Sequence, residues 1–151
     1  PPYYSIPLAA DVLDRVLPEF YDVGDAVRVK AEVLHAILCH HVEEDPLTTE
    51  AGVIRIADAL DMERGRSRIP YEQGSRGVNT LSSQAIDRVT LQAGEDVPVL
   101  IEIEMTDAVG VYQVDELLKA KVTGSGLEDA VRIIASTVDS EGGQLVERFE
   151  L

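Results

Sequence analysis

Residues 88–105 read RVTLQAGEDVPVLIEIEM, and this stretch decides the class of fold. Val89, Leu91 and Ala93 alternate with Arg88, Thr90 and Gln92; after Gly94-Glu95-Asp96, the residues Val97, Val99, Ile101, Ile103 and Met105 alternate with partly charged partners. A period of two, broken by glycine and acid, predicts an antiparallel hairpin with one buried face. Everything before residue 77 has the longer period of a helix instead.

Working toward the N-terminus, Asp25 is the expected N-cap of a helix running to His41. Val27, Ala31, Leu34, Leu38 and His41 share one face, and Val29, Val33, Ala36, Ile37 and His40 the neighbouring one. An earlier helix is expected from about Ser5 to Val16, with Pro7 in its first turn and Pro18 closing it. A later one starts near Thr48 or Thr49, where Glu50 suits the helix dipole, turns Val53, Ile56, Ala57 and Leu60 inward and stops near Met62.

Working toward the C-terminus, a short helix over Tyr112 to Lys121 presents Val114, Leu117, Leu118 and Val122, and ends before Gly124-Ser125-Gly126. A second hairpin follows, Ala130 to Val138 and Gln144 to Leu151, turning at Ser140-Glu141-Gly142-Gly143. The fold class is therefore α+β: a helical portion over residues 1–76, then an α+β domain over 77–151 with a four-stranded antiparallel β-β-α-β-β sheet. The boundary falls in the stretch Gly65 to Gly77.

The chain of 151 residues carries 28 acidic against 13 basic groups, a net charge of -15. That field repels nucleic acid and anionic membrane surfaces, so neither a nucleic-acid duplex nor a membrane is an expected partner. Its acids are dispersed and only Lys30, Lys119 and Lys121 are lysines, a pattern resembling proteins of salt-loving organisms, in which screening relieves the self-repulsion. An acidic face for a basic partner is the other reading. With no apolar run near the ~20 residues of a membrane span and no signal-peptide pattern, the expectation is a cytoplasmic protein. A single cysteine, Cys39, excludes an internal disulfide.

Two segments could carry chemistry. His40 and His41 stand at a helix end, and Asp58 follows His41 by seventeen residues on the next helix. Two imidazoles and a carboxylate can converge on a divalent cation such as Mn, Fe, Ni, Mg or Zn. A dipole-complementing cap is the blander alternative. Arg64, Arg66 and Arg68 then stand at alternate positions in the densest cation cluster of an acidic chain. Guanidinium forks of this kind bind phosphate, or else pair with Asp61, Glu63 and Glu72. His35, Asp61 and Lys119 are secondary candidates. Lys119 and Lys121 lie at a helix end, where they also complement its dipole.

His40-His41, the segment Ile-Ala-Asp58-Ala-Leu-Asp61 and Arg-Ile-Pro-Tyr71 together resemble the latter half of the HD superfamily of metal-dependent phosphohydrolases. The likeness is nearest to archaeal members with an extra C-terminal α+β domain, and takes in the stretches from Val111 to Lys119 and from Gly124 to Leu127. The resemblance implies a helical bundle holding divalent metal, with His40, His41 and Asp58 among the ligands. It also implies hydrolysis of a phosphate ester in a phosphorylated small molecule or nucleotide. The chain contains no His-Asp dipeptide, the dyad that names the family, and its only other histidine is His35. It is therefore expected to be a portion of such a protein, beginning just after the dyad and inactive alone.

Against this stands a non-enzymatic ligand-binding or dimerisation module, in which hairpin edges and the outward Leu100 pair subunits as a homo-oligomer. A nucleophilic Cys39 would need His35, one helical turn before it, since His40 points about 100° away. Thr80-Leu81-Ser82-Ser83 and Gly124-Ser125-Gly126 lack a nucleophile elbow and read as an N-cap and a loop.

Overall fold

A computed structural model describes residues 2–63, 72–74, 77–138 and 144–150. Three helices come first: α1 (Pro2–Val16), α2 (Val23–Cys39) and α3 (Thr49–Leu60). A fourth, α4 (Val78–Ala85), leads into β1 (Ile86–Ala93) and β2 (Val99–Met105). The helix α5 is π-helical over Gln113–Leu118 and α-helical over Lys119–Val122, and is followed by β3 (Val131–Val138) and β4 (Gln144–Glu150). No helix among the described residues is long and apolar enough to cross a membrane.

The α+β class is present and both expected strand pairs are antiparallel, the expected turn from Ser140 to Gly143 lying outside the described residues, but the sheet is not antiparallel throughout. Its order is β1-β2-β3-β4, with β1/β2 and β3/β4 antiparallel and the central pair β2/β3 parallel, Ile101 facing Ile133 and Ile103 facing Ala135. The reason lies in the connection. Residues 106–130 carry the chain through α5 back to the end of the sheet where β2 began, and a strand entering there must run the same way.

Other corrections concern helix ends and faces. α2 starts earlier than expected, because Asp22 is its N-cap and accepts the backbone N–H of Asp25 at 3.0 Å; Asp25 lies inside the first turn. It also ends earlier, at Cys39, with His40 as C-cap and His41 beyond. Thr80 to Ser83, expected as an N-cap, sit inside α4, where the Ser82 hydroxyl donates to the Val78 carbonyl at 2.7 Å.

α3 begins as expected after Thr48, whose hydroxyl accepts from the N–H of Ala51 at 3.3 Å. Its buried stripe is Ala51, Gly52, Arg55, Ile56 and Ala59, whereas Val53 and Ala57 are exposed. The helix lies against the turn that follows α5, and the small side of its surface makes that approach possible. A Cβ on Gly52 would run into the carbonyl oxygen of Ser125.

In α5 the inward residues are Gln113, Val114 and Leu118, while Leu117 is turned partly outward. A π-helical turn spaces its bonds five residues apart, so position 118 returns to the face of 113. Gln113 spends its amide on α4, donating to the Ser82 hydroxyl at 2.7 Å and to the Asn79 carbonyl at 3.1 Å.

One apolar cluster holds these parts together. Ile56, Ala59 and Met62 from α3 and its end meet Ile86, Ile101, Ile103, Met105, Ile133 and Ala135 of the sheet, with Val114 and Leu118 of α5 between them. α1 and α2 contribute little to it. Among the described residues before Ala51, only Leu17 and Cys39 are buried, and Tyr4, Leu8, Phe20 and Val23 are 71–84% exposed.

Candidate functional site

Three helix ends meet at one place. The last turn of α2 brings its C-cap, His40; the last turn of α3 brings Asp58; the last turn of α5 brings Lys121. Carbonyls at a helix C-terminus carry partial negative charge, and a carboxylate there adds to it unfavourably. The junction of α2 and α3 therefore demands a cation. Lys121 supplies it: its ammonium donates to the His40 carbonyl at 2.7 Å and is ion-paired with the Asp58 carboxylate. The lysine side chain is 14% exposed and that of Asp58 42%.

The two histidines of the sequence motif divide between different surroundings. His40 Nδ1 is 2.7 Å from the Ile37 carbonyl. A carbonyl can only accept, so Nδ1 carries the proton and donates. His40 lines a largely apolar groove of about 500 Å³ with Val33, Ala36, Ile37 and Ile54, whose other lining residues are Ser5, Glu32 and Glu50 but not Asp58. His41 packs edge-on to His40, with ring centroids 4.3 Å apart, and its Nδ1 lies 3.9 Å from a carboxylate oxygen of Glu43 at a half-exposed position.

These residues do not by themselves fit a metal ion. Among the described residues no three His, Cys, Asp or Glu side chains are grouped to hold one, and the Asp58 carboxylate is already engaged by an ammonium.

The secondary candidates have local tasks. His35 Nε2 accepts the N–H of Leu47 at 3.0 Å, and its Nδ1 is 3.5 Å from Cys39 Sγ, which is itself 3.6 Å from the Asp45 carbonyl; together they fasten the loop after α2. Asp61 is the C-cap residue of α3. Lys119 pairs with Asp115 one turn earlier at 3.1 Å, whereas Lys121 alone of the two reaches Asp58. Arg64, Arg66 and Arg68 lie outside the described residues.

Burial pushes the Cys39 thiol up, and the nearby Glu44 carboxylate adds to the effect. A thiol so held is a poor nucleophile at neutral pH. Ser82 is buried between α4 and Gln113, and the Ser125 hydroxyl accepts the N–H of Leu127 at 3.0 Å within a turn whose glycines, Gly124 and Gly126, have φ of 76° and 75°. Among the described residues, neither serine hydroxyl is hydrogen-bonded to a side chain that could act as a base.

Sequence reasoning missed Arg55. Its side chain is 3% exposed, and Nη1 donates to the Glu44 carbonyl at 3.2 Å and lies 3.6 Å from an Asp45 carboxylate oxygen. Its Nε has no partner among the described residues. The Glu128 carboxylate is held below the usual range by its own backbone N–H and that of Gly124, with the Arg55 charge contributing. Arg55 thus ties the loop after α2 electrostatically to the turn after α5. The signal was the row of small residues Ala51, Gly52 and Ala59, which marks the closely packed side of α3 better than its larger side chains do.

Comparison with known proteins places the chain beside two groups. It is 36% identical over 132 residues to an uncharacterised protein of Methanocaldococcus jannaschii, covering 87% of this chain and 51% of that one. It is 30% identical over 98 residues to Ribonuclease Y of Desulforudis audaxviator, covering 60% of this chain and 19% of the enzyme. Ribonuclease Y of Thermotoga petrophila is 32% identical over 85 residues, 52% of this chain and 17% of the enzyme. No family model matches, and no solved structure matches. The chain thus spans about half the length of its archaeal relative. It is similar over part of its length to Ribonuclease Y.

Proposed function

We propose that this chain is part of a phosphohydrolase or phosphodiesterase of the HD type, acting on phosphate esters that include the phosphodiesters of single-stranded RNA or nucleotides. The similarity to Ribonuclease Y carries the reading, since two such enzymes align with more than half of the chain at about a third identity. The position of Asp58 supports it, because this carboxylate stands where three helix ends meet rather than on an open helix face. The charge of -15 favours a flexible, low-charge substrate over a duplex. A divalent ion serving this chemistry would polarise the phosphoryl oxygen. It would need ligands beyond His40, His41 and Asp58 as they stand, and arginines 64, 66 and 68 are the groups to offset phosphate charge.

The test uses the natural protein purified at high salt with Mn2+ or Mg2+ and a panel of single-stranded RNA, cyclic dinucleotides, nucleotides and bis-p-nitrophenyl phosphate. Hydrolysis of at least one class, lost about 100-fold in Asp58→Asn, is expected. A protein that cleaves none of them refutes the proposal.

A second reading, an assembly module, is favoured by the exposed apolar side chains Tyr4, Leu8, Phe20 and Val23 along α1 and the start of α2. Light scattering at high salt tests it: a dimer supports it, and a strict monomer removes it.

A further inference from the structure

α1 is apolar on two sides, and one of them is left open among the described residues. Leu13, and Leu17 just past the helix, stand on the side toward α2, where they line one groove with Ala26 and Val27. Tyr4, Leu8, Val12 and Val16 follow one another at intervals of four as a separate stripe, and they are 43–74% exposed. Phe20, four positions further and beyond a 3-10 turn, is exposed as well. A helix apolar on more than one side belongs between two layers, and α2 is only one of them.

The open stripe has the size of an interface. Two aromatic and three aliphatic side chains exposed to this degree present roughly 600 Å² of apolar surface, the upper end of the ~300–600 Å² of the largest patch on a monomer. A standard interface takes about 800 Å² from each partner, and in homodimers about two-thirds of it, roughly 500 Å², is apolar.

Charge decides between a second copy and a partner of opposite sign. Two chains of net charge -15 repel, and a two-fold contact sets the same surface of each against the other, so they can meet only where charges cancel. α1 is such a place. Its charged residues are Asp11, Asp14 and Arg15. Asp14 is ion-paired with Lys30 of α2 at 2.6 Å, and Arg15, whose Nε donates to the Asp11 carbonyl at 3.1 Å, balances Asp11. A basic partner would find no excess of carboxylates along this helix.

We propose that the stripe of Tyr4, Leu8, Val12 and Val16 is the contact of a two-fold dimer, in which α1 of one copy crosses α1 of the other at Val12. The sizes of the side chains favour that crossing point. Rows spaced by four pack into one another at about -50°, so the two helices touch at the centre and diverge toward their ends. Val12 is small and central, whereas the aromatic rings of Tyr4 and Phe20 stand at the two ends, where the gap is widest. This inference rests on the assembly reading above and narrows it to one stripe and one axis; the hydrolase reading stands or falls without it.

The experiment is disulfide trapping of the whole protein at high salt, beside light scattering. Cys39 is buried, so wild type should give no cross-link and a cysteine added at the surface reports its own neighbours. Val12→Cys should form a cross-linked dimer at least tenfold faster than Val23→Cys, which is more exposed but lies off the stripe. Leu8→Glu should convert the wild-type dimer to a monomer of unchanged helix content by circular dichroism. Equal trapping rates for V12C and V23C overturn the proposal. A wild-type monomer overturns it together with the assembly reading, and a V12C thiol then shielded from a disulfide reagent assigns the stripe to other polypeptide. A dimer that L8E leaves intact overturns the stripe alone, and the assembly reading survives it.

Discussion

Gly52→Ala sets two effects of opposite sign against each other. Gly52 lies in the first turns of α3, where alanine is preferred over glycine by about 1 kcal/mol of helix propensity. An isolated helix would therefore gain from the change. In the folded chain the new Cβ would run into the carbonyl oxygen of Ser125 and come to 3.4 Å from a methyl of Leu127. The first obstacle is backbone in a turn whose glycines hold positive φ, so it cannot step aside as a flexible side chain would. Overpacking of this kind costs about 1–3 kcal/mol, and against rigid backbone the upper part of that range applies. The net expectation is a loss of about 1–2 kcal/mol, which for a chain of this size lowers Tm by about 2–8 °C. Urea unfolding followed by circular dichroism at high salt measures it, with an unchanged slope showing that the folded state is the one affected. Gly24→Ala is the control: its Cβ would meet nothing nearer than an oxygen of Asp22 at 3.4 Å, so it should be neutral or stabilising. A G52A protein as stable as wild type would refute the close approach of α3 to the turn after α5.

Ile133→Ala empties the centre of the sheet, where Ile133 is 2% exposed, and should cost about 2–5 kcal/mol in the same unfolding assay. Gln113→Ala removes the amide bridging Asn79 and Ser82; a loss of about 1–3 kcal/mol is expected, with faster hydrogen exchange in α4 as the local signature. The Glu128 carboxylate has its pKa lowered in the folded chain by backbone N–H groups. Its contribution is therefore complete above the ordinary carboxylate range and is lost as pH falls through the lowered value. Wild type should exceed Glu128→Gln in urea midpoint at neutral pH, the gap closing as pH falls below the ordinary carboxylate range; a constant gap contradicts the assignment. Cys39, 1% exposed and with a raised thiol pKa, should react with a disulfide reagent far more slowly in the folded protein than in urea.

Much of the fold was legible because local rules acted undisturbed. The alternation over residues 88–105 produced a hairpin with Ile101, Ile103 and Met105 inward, and Thr48 capped α3 as its hydroxyl allows. Reading failed where a distant partner chose the outcome. The inward face of α3 was set by the turn at Ser125, so Arg55 was buried and Val53 left out. The face of α5 was set by a π-helical turn, which no 3.6-residue pattern contains. α4 was hidden because the stretch from Thr80 to Ser83 read as an N-cap, whereas Gln113, 31 positions away, gives Ser82 a buried partner inside a helix.

The candidate site divides in the same way. That His40, His41 and Asp58 stand near helix ends could be read from the sequence, because element ends follow from spacing along one chain segment. What answers Asp58 could not be, since Lys121 is 63 residues away and is indistinguishable in sequence from Lys119, which pairs within its own helix. The sequence by itself determined the α+β class, the positions of the capped helices and the acidic charge, all of which depend on neighbours within a few residues. Tertiary structure alone decided the parallel central strands, the buried Arg55 and the ammonium beside Asp58. These depend on which surfaces meet when the chain closes, and a net charge of -15 leaves few cations to answer the carboxylate at the meeting of three helix ends.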